Sequence, residues 1–332
     1  MREKEPPLGS RSAAGPGGEP PLVARREHSM FRRILVPLDG TKRAEEAIPF
    51  ARELASSPEA RVFLLHVEPP MASVLDEIAI DNRLEVIADE LRAAGVRAHI
   101  VTEFGKAAPA IATAADLDKV DVIVLAPEPR GLLEGLRHPS VTASVLARTA
   151  APVLVVPSAG SAESSELLRF GGAQVIVTLD GSALAEKALP TALRLARHYD
   201  RPLLLLRVLP PVRIIAAGPE TYPLVRDSYE SDVREATEYL ATLRERLERT
   251  ENVQVQTMFH QGIPAEVILG LAETRPGSIL VMSTHGRTGL KRLVLGSVTL
   301  AVARKSSIPL MIVPTVTVEP ATSAAVEAGA EA

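Results

Sequence analysis

The stretch Val175-Ile176-Val177-Thr178-Leu179-Asp180-Gly181-Ser182 repeats an earlier one, Ile34-Leu35-Val36-Pro37-Leu38-Asp39-Gly40-Thr41. An apolar run that ends on Asp-Gly and a hydroxyl residue is a buried strand passing into a turn. Two copies 141 residues apart, counted from Asp39 to Asp180, therefore predict a duplicated domain. The same spacing relates Phe63-Leu64-Leu65-His66-Val67-Glu68-Pro69-Pro70 to Leu204-Leu205-Leu206-Arg207-Val208-Leu209-Pro210-Pro211. Further along, Ala151-Pro152-Val153-Leu154-Val155-Val156-Pro157 matches Ile308-Pro309-Leu310-Met311-Ile312-Val313-Pro314 at a spacing of 157, from Pro152 to Pro309. The second copy has thus gained 16 residues between Val208 and Gly262.

Within each copy, short apolar runs alternate with longer helical patterns, the signature of βαβ units around a buried parallel sheet with helices on both faces. The expected strands of the first copy are about Arg33 to Leu38, Val62 to Val67, Arg97 to Val101, Val120 to Leu125 and Val153 to Val156. Those of the second are near Ala173 to Leu179, Leu203 to Val208, Val253 to Thr257, Ser278 to Met282 and Leu310 to Val313. The Ser/Ala/Gly/Glu stretch from Ser158 to Glu166 has no periodicity and reads as a linker, which puts the domains at 30–157 and 173–315. Residues 1–29, rich in Gly and Pro, read as a disordered arm, and translation starting at Met30 is one explanation for them. The Ala- and Glu-rich residues 316–332 read as a disordered tail.

At 332 residues with 46% hydrophobic and 23% charged residues, the chain is long enough for two ordinary domains. A net charge of −4 and 3% aromatics supply neither the cationic surplus nor the stacking platforms that nucleic acid requires. Zero cysteine excludes disulfides, thiolate catalysis and Cys-ligated metal sites, and it fits a reducing cytoplasm. No apolar run approaches the roughly 20 residues of a membrane helix.

An open parallel sheet binds ligands beyond the carboxyl ends of its strands, where the chain order reverses, so the residues after strands one and four matter most. After strand one both copies carry Asp-Gly-(Thr/Ser). Its structural reading is a tight turn in which Thr41 or Ser182 caps the next helix; its functional reading has Asp39 or Asp180 accepting a hydrogen bond from a base or ribose. After strand four the second copy reads Ser283-Thr284-His285-Gly286-Arg287-Thr288-Gly289-Leu290-Lys291-Arg292-Leu293-Val294-Leu295-Gly296-Ser297-Val298-Thr299. Glycine lets backbone approach an anion, and Gly296 and Ser297 open a helix whose unpaired N–H groups and positive dipole end favour phosphate. The hydroxyls of Ser297 and Thr299 add donors. Arg287 and Lys291 add charge at the rim.

On these residues both copies resemble the universal stress protein domain, over about residues 31 to 315. That family's ATP-binding pattern is Gly-x2-Gly-x9-Gly-(Ser/Thr) after strand four, joined to an Asp after strand one. The second copy has Gly286, nine intervening residues and Gly296-Ser297, with Ser283 in place of the first glycine. The resemblance implies two tandem five-stranded open sheets of strand order 3-2-1-4-5, adenine nucleotide alpha hydrolase-like, and a site for ATP, with or without Mg2+. It places Asp180 and Val208 at the adenosine, and Met282, Ser283, Gly286, Arg287, Gly296, Ser297, Val298 and Thr299 around ribose and phosphates. Thr178 and Leu179, which lead into the Asp180 turn, and His285 and Gly289 in the loop complete the candidate set.

The first copy has Ala126, Pro129 and Pro139-Ser140 at the pattern positions, and proline has no N–H to give a phosphate. Asp39 and Val67 remain as a weaker pair, so one strong nucleotide site per chain is expected. The 16 extra residues fall in Pro210 to Ser231, with Pro219, Tyr222, Pro223 and Tyr229, and read as a surface loop or, more sharply, a lid over the adenine. No Gly-x4-Gly-Lys-(Ser/Thr) loop and no metal-ligand histidine pair is present, so at most slow hydrolysis or autophosphorylation is expected. His66 and His99 read as strand residues. The last strand of each copy should lie at a sheet edge, and in the family such edges pair between domains, giving a pseudo-twofold dimer within one chain; a further homodimer is left open. The leading functional reading is an ATP-binding stress-response regulator in the cytoplasm. A nucleotide-free interaction scaffold is the alternative, and an adenylyl-transferring enzyme comes third because no His-x-Gly-His signature appears.

Overall fold

The computed structural model describes residues 31–70, 73–127, 140–157, 174–211, 222–286 and 295–315. The arm, the linker and the tail expected from sequence lie outside the described residues, as do Pro129, Pro139, Pro219, Arg287 and Gly289. The first half runs β1 (Arg33–Pro37), α1 (Lys42–Glu45), α2 (Ile48–Leu54), β2 (Arg61–Glu68), α3 (Val74–Ala93), β3 (Arg97–Phe104), α4 (Ala107–Leu117), β4 (Val122–Leu125), α5 (Val141–Leu146) and β5 (Val153–Val155). The second half runs β6 (Val175–Leu179), α6 (Ala183–Glu186), α7 (Leu189–Tyr199), β7 (Leu203–Leu209), α8 (Tyr222–Glu251), β8 (Val255–Gln261), α9 (Pro264–Glu273), β9 (Ile279–Ser283), α10 (Ser297–Lys305) and β10 (Leu310–Val313).

These strands form one sheet of order β3-β2-β1-β4-β5-β10-β9-β6-β7-β8. Each half is parallel with the expected order 3-2-1-4-5. The two five-stranded sheets are continuous, because β5 and β10 pair antiparallel with Leu154 opposite Met311. The inner strands are largely apolar since both their faces are covered, and Ile34, Leu35, Val36 and Leu203 to Leu206 are at most 1% exposed. Side chains alternate between two cores: Leu203 and Leu205 pack on one, Leu204 and Leu206 on the other. Leu154 is fully buried at the joint between the halves. Truncating it by Leu154→Ala should cost about 2–5 kcal/mol, read as a lowered denaturation midpoint with unchanged slope.

Several strand ends differ from expectation by a residue or two, and β3 and β8 differ most, β8 running on to Gln261. β3 continues through Thr102, Glu103 and Phe104, which pair with His66, Val67 and Glu68. As an edge strand it alternates exposed and covered positions, so the polar residues do not end it. β8 starts at Val255, the first residue opposite a β7 partner, Leu203.

The extra residues of the second half also differ from the expected surface loop. Residues 222–231 belong to α8, a helix of 30 residues against the 20 of α3. Pro223 sits in the first turn, where its missing N–H costs nothing. Beyond it, Ala236, Leu240, Leu243 and Leu247 recur at helical spacing and are buried. The part from 212 to 221 lies outside the described residues.

The halves also meet away from the sheet. Arg194 on α7 pairs with Asp121 at 3.1 Å and stacks over the Phe31 ring at 4.2 Å. No described helix is long and apolar enough to cross a membrane.

Candidate functional site

A cavity of about 290 Å³ opens at the carboxyl ends of β6, β7 and β9. The end of β6 brings Thr178, Leu179 and Asp180 to it, β7 brings Val208, and β9 brings Met282 and Ser283. The loop after β9 adds His285 and Gly286, and the start of α10 adds Gly296, Ser297, Val298 and Thr299. The sequence signals from strand one and strand four thus meet in one hollow, because β6 and β9 are hydrogen-bonded neighbours at the point where strand order reverses.

The turn after β6 is built by its own sequence. Gly181 takes φ +84°, Asp180 Oδ1 accepts from Ser182 N at 3.0 Å, and the Ser182 hydroxyl caps α6 by accepting from Ala185 N at 3.1 Å. This presents the other carboxylate oxygen to the β9 loop. A Cβ placed on Gly286 would lie only 2.0 Å from Asp180 Oδ2, so the carboxylate stands against the Gly286 backbone. Gly296 is the N-cap of α10; its N–H donates to Thr284 O at 2.8 Å, and an added Cβ would lie 3.1 Å from the same oxygen. Helix α10 therefore starts at the cavity with first-turn N–H groups that have no intrahelical acceptor.

Two hydroxyls of the candidate set act within the protein. Thr299 Oγ1 donates to Ser283 O at 3.0 Å, fastening α10 to β9, and Ser283 Oγ donates to His285 O at 2.7 Å. Ser297 is exposed. His285 Nδ1 lies 3.2 Å from both the Thr284 and Thr315 hydroxyls, and its Nε2 is buried without a partner. Sequence reading missed the apolar wall: Ala185, Leu206, Leu209, Pro210, Pro264 and Ile268 also line the hollow. Leu206 was signalled by its period-two relation to Val208, whereas Pro264 and Ile268 come from a helix after strand three and gave no local sign. Among the described residues, no group of three or more His, Asp or Glu side chains gathers as a metal site.

The universal stress protein family model matches residues 30–157 and again 173–314. The chain belongs to the universal stress protein family. A universal stress protein of Mycolicibacterium smegmatis is 28% identical over 298 residues, which cover 84% of this chain and 96% of that protein. The universal stress protein YxiE of Bacillus subtilis is 29% identical over 145 residues, 42% of this chain and 97% of its own. Among solved structures, a universal stress protein from Archaeoglobus fulgidus superposes with a TM-score of 0.60 at 18% identity, covering 85% of this chain and 95% of that one. The two halves are thus universal stress protein domains in tandem.

Between the two universal stress protein domains the carboxyl edge differs. In the first, Asp39 is exposed and its Oδ1 takes both Thr41 N at 3.0 Å and Thr41 Oγ1 at 2.7 Å. Arg43 binds the strand-end carbonyls, donating to Pro127 O at 3.0 Å, Val156 O at 2.8 Å and Pro157 O at 3.2 Å. The residue 141 positions later is Leu184, which has no such donors. Ser140 caps α5, accepting from Ala143 N at 3.1 Å, and Val67 is half-buried at the end of β2.

Proposed function

We propose that the second universal stress protein domain binds an adenine nucleotide, ATP in the first instance, and that the protein is a nucleotide-dependent stress-response regulator with little or no hydrolysis. The observation that carries this reading is the convergence of the Asp180 carboxylate, the bare backbone of Gly286 and the start of α10 on one cavity. The chemistry of that set suits a nucleotide. Leu206, Val208, Ile268 and Met282 give an apolar wall for a base, and a carboxylate acceptor at its rim suits ribose hydroxyls. A helix start lined by glycine backbone suits phosphates. Mg2+, when present, would come with the phosphates, since the described residues supply no carboxylate cluster of their own.

The first domain is read as regulatory scaffold, because Arg43 rather than a glycine backbone organises its strand ends. That observation also favours the second reading, a nucleotide-free interaction scaffold. On either reading the domains are taken as 30–157 and 173–315, the β5–β10 joint as an intramolecular pseudo-dimer interface, and the cytoplasm as the working compartment. Denaturing the purified protein and separating the released small molecules by chromatography distinguishes the two. Recovery of adenine nucleotide, or heat-stabilisation by added ATP, supports the first reading; neither, at millimolar ATP, supports the scaffold. The same chromatogram separates ATP from AMP and cyclic AMP.

A further inference from the structure

Arg207 lies between Leu206 and Val208, which line the cavity, but alternation turns its side chain to the opposite face of the sheet. There it is 3% exposed, and its Nε has no hydrogen-bond partner. A buried cation with an unmet donor is costly, so what surrounds it bears on how this part of the fold is held. Its guanidinium lies flat against the Gly181 turn: a Cβ on Gly181 would be 2.9 Å from one terminal nitrogen, 3.1 Å from Cζ and 3.1 Å from the other. Arg207 Cζ also stands 5.2 Å from the centre of the Tyr239 ring on α8. Tyr239 in turn donates its hydroxyl to Glu186 Oε1 at 3.0 Å, and Arg246 donates to Glu186 Oε2 at 3.1 Å. Burial and the neighbouring Glu186 carboxylate both push the Tyr239 phenol well above its ordinary range, so it remains a donor.

The first domain has no such stack. Its residue at the matching strand position is His66, which bonds Leu38 O through Nδ1 at 3.0 Å, and the space over Gly40 is taken by Ile80, 3.0 Å from an added Cβ. Glu45, the counterpart of Glu186 at the 141-residue spacing, is held bidentately by Arg83 at 2.8 and 2.7 Å. Among the described residues, the guanidinium stack therefore belongs to the domain whose cavity is described above.

We propose that Arg207 is a positioning residue: clamped between the Gly181 backbone and the Tyr239 ring, it holds the Asp180–Gly181 turn in place for ligand and couples that turn to helix α8. The turn-holding part stands on its own; the ligand part rests on the nucleotide reading above. The test uses the full chain with Arg207→Met, which keeps length and loses the planar cation, and Tyr239→Leu, which removes the ring and leaves Arg207. Hydrogen exchange without nucleotide should accelerate about tenfold at residues 180–186 in both variants, with β9 and β10 of the same domain unchanged as the check on folding. ATP titration should show an affinity about tenfold weaker in both. Unaltered exchange at 180–186 in both folded variants overturns the proposal. Faster exchange in a protein whose wild type binds no ATP upholds the clamp and defeats the nucleotide reading instead. Unchanged exchange together with wild-type ATP binding defeats the clamp and leaves that reading intact.

Discussion

Gly286→Ala should weaken ATP binding about a hundredfold, some 2.7 kcal/mol, while shifting stability by under about 1 kcal/mol. The new methyl carbon would sit 2.0 Å from Asp180 Oδ2, a distance no pair of such atoms tolerates. The carboxylate must therefore leave the position from which it faces the cavity. Asp180 is half-buried, so water can reach the carboxylate once it has moved and replace its Oδ1 bond to Ser182 N. Gly286 is not among the glycines with positive φ, so alanine meets no backbone penalty there, and it lowers the entropy of the unfolded chain. Calorimetric titration against thermal unfolding separates the two effects. Equal loss of stability and affinity would show that the residue serves packing alone.

Gly296→Asp is the second large effect. Asp is a favoured N-cap, so α10 should keep or gain stability, and the neighbouring Thr284 O, 3.1 Å from the added Cβ, needs to yield only a few tenths of an ångström. The carboxylate, however, stands at the helix start that the nucleotide reading assigns to phosphate. Juxtaposed like charges cost several kcal/mol, so ATP binding should fall about a hundredfold or more. Adenosine, with no phosphate, should bind the variant about as well as the wild type. Competition titrations with the two ligands read this difference, and a parallel loss of both would move the phosphates away from α10.

The fold was legible because duplication doubled every signal. Three pairs of apolar runs at two fixed spacings mark strands one, two and five of each copy, and the parallel order follows from covered faces and a known family pattern. What sequence could not give was extent. β3 runs on through Thr102, Glu103 and Phe104 because an edge strand needs only one partner, and a purely apolar criterion stops at Val101. The Pro and Tyr content of the inserted residues reads as a loop, yet residues 222–231 continue the helix whose stripe Ala236, Leu240, Leu243 and Leu247 is buried. Tertiary packing, not local propensity, decides such cases.

At the site, motif spacing located the backbone elements, since glycine and Asp-Gly turns are local features. The apolar wall was harder. Pro264 and Ile268 lie on a helix remote in sequence and join the cavity only through the sheet order. Arg207 reads as one more residue of the strand Leu203 to Val208, because the sequence does not show which ring or turn will flank it. The contrast between Arg43 in one domain and Leu184 in the other was equally silent until strand ends and their carbonyls had positions in space.

The claim on which the rest depends is that one domain of the two holds nucleotide. Equilibrium dialysis of the full chain against ATP tests it directly. Saturation at one ATP per chain is expected, abolished together by Gly286→Ala and Gly296→Asp; saturation at two equivalent sites, or no retention at millimolar ATP, would overturn that claim.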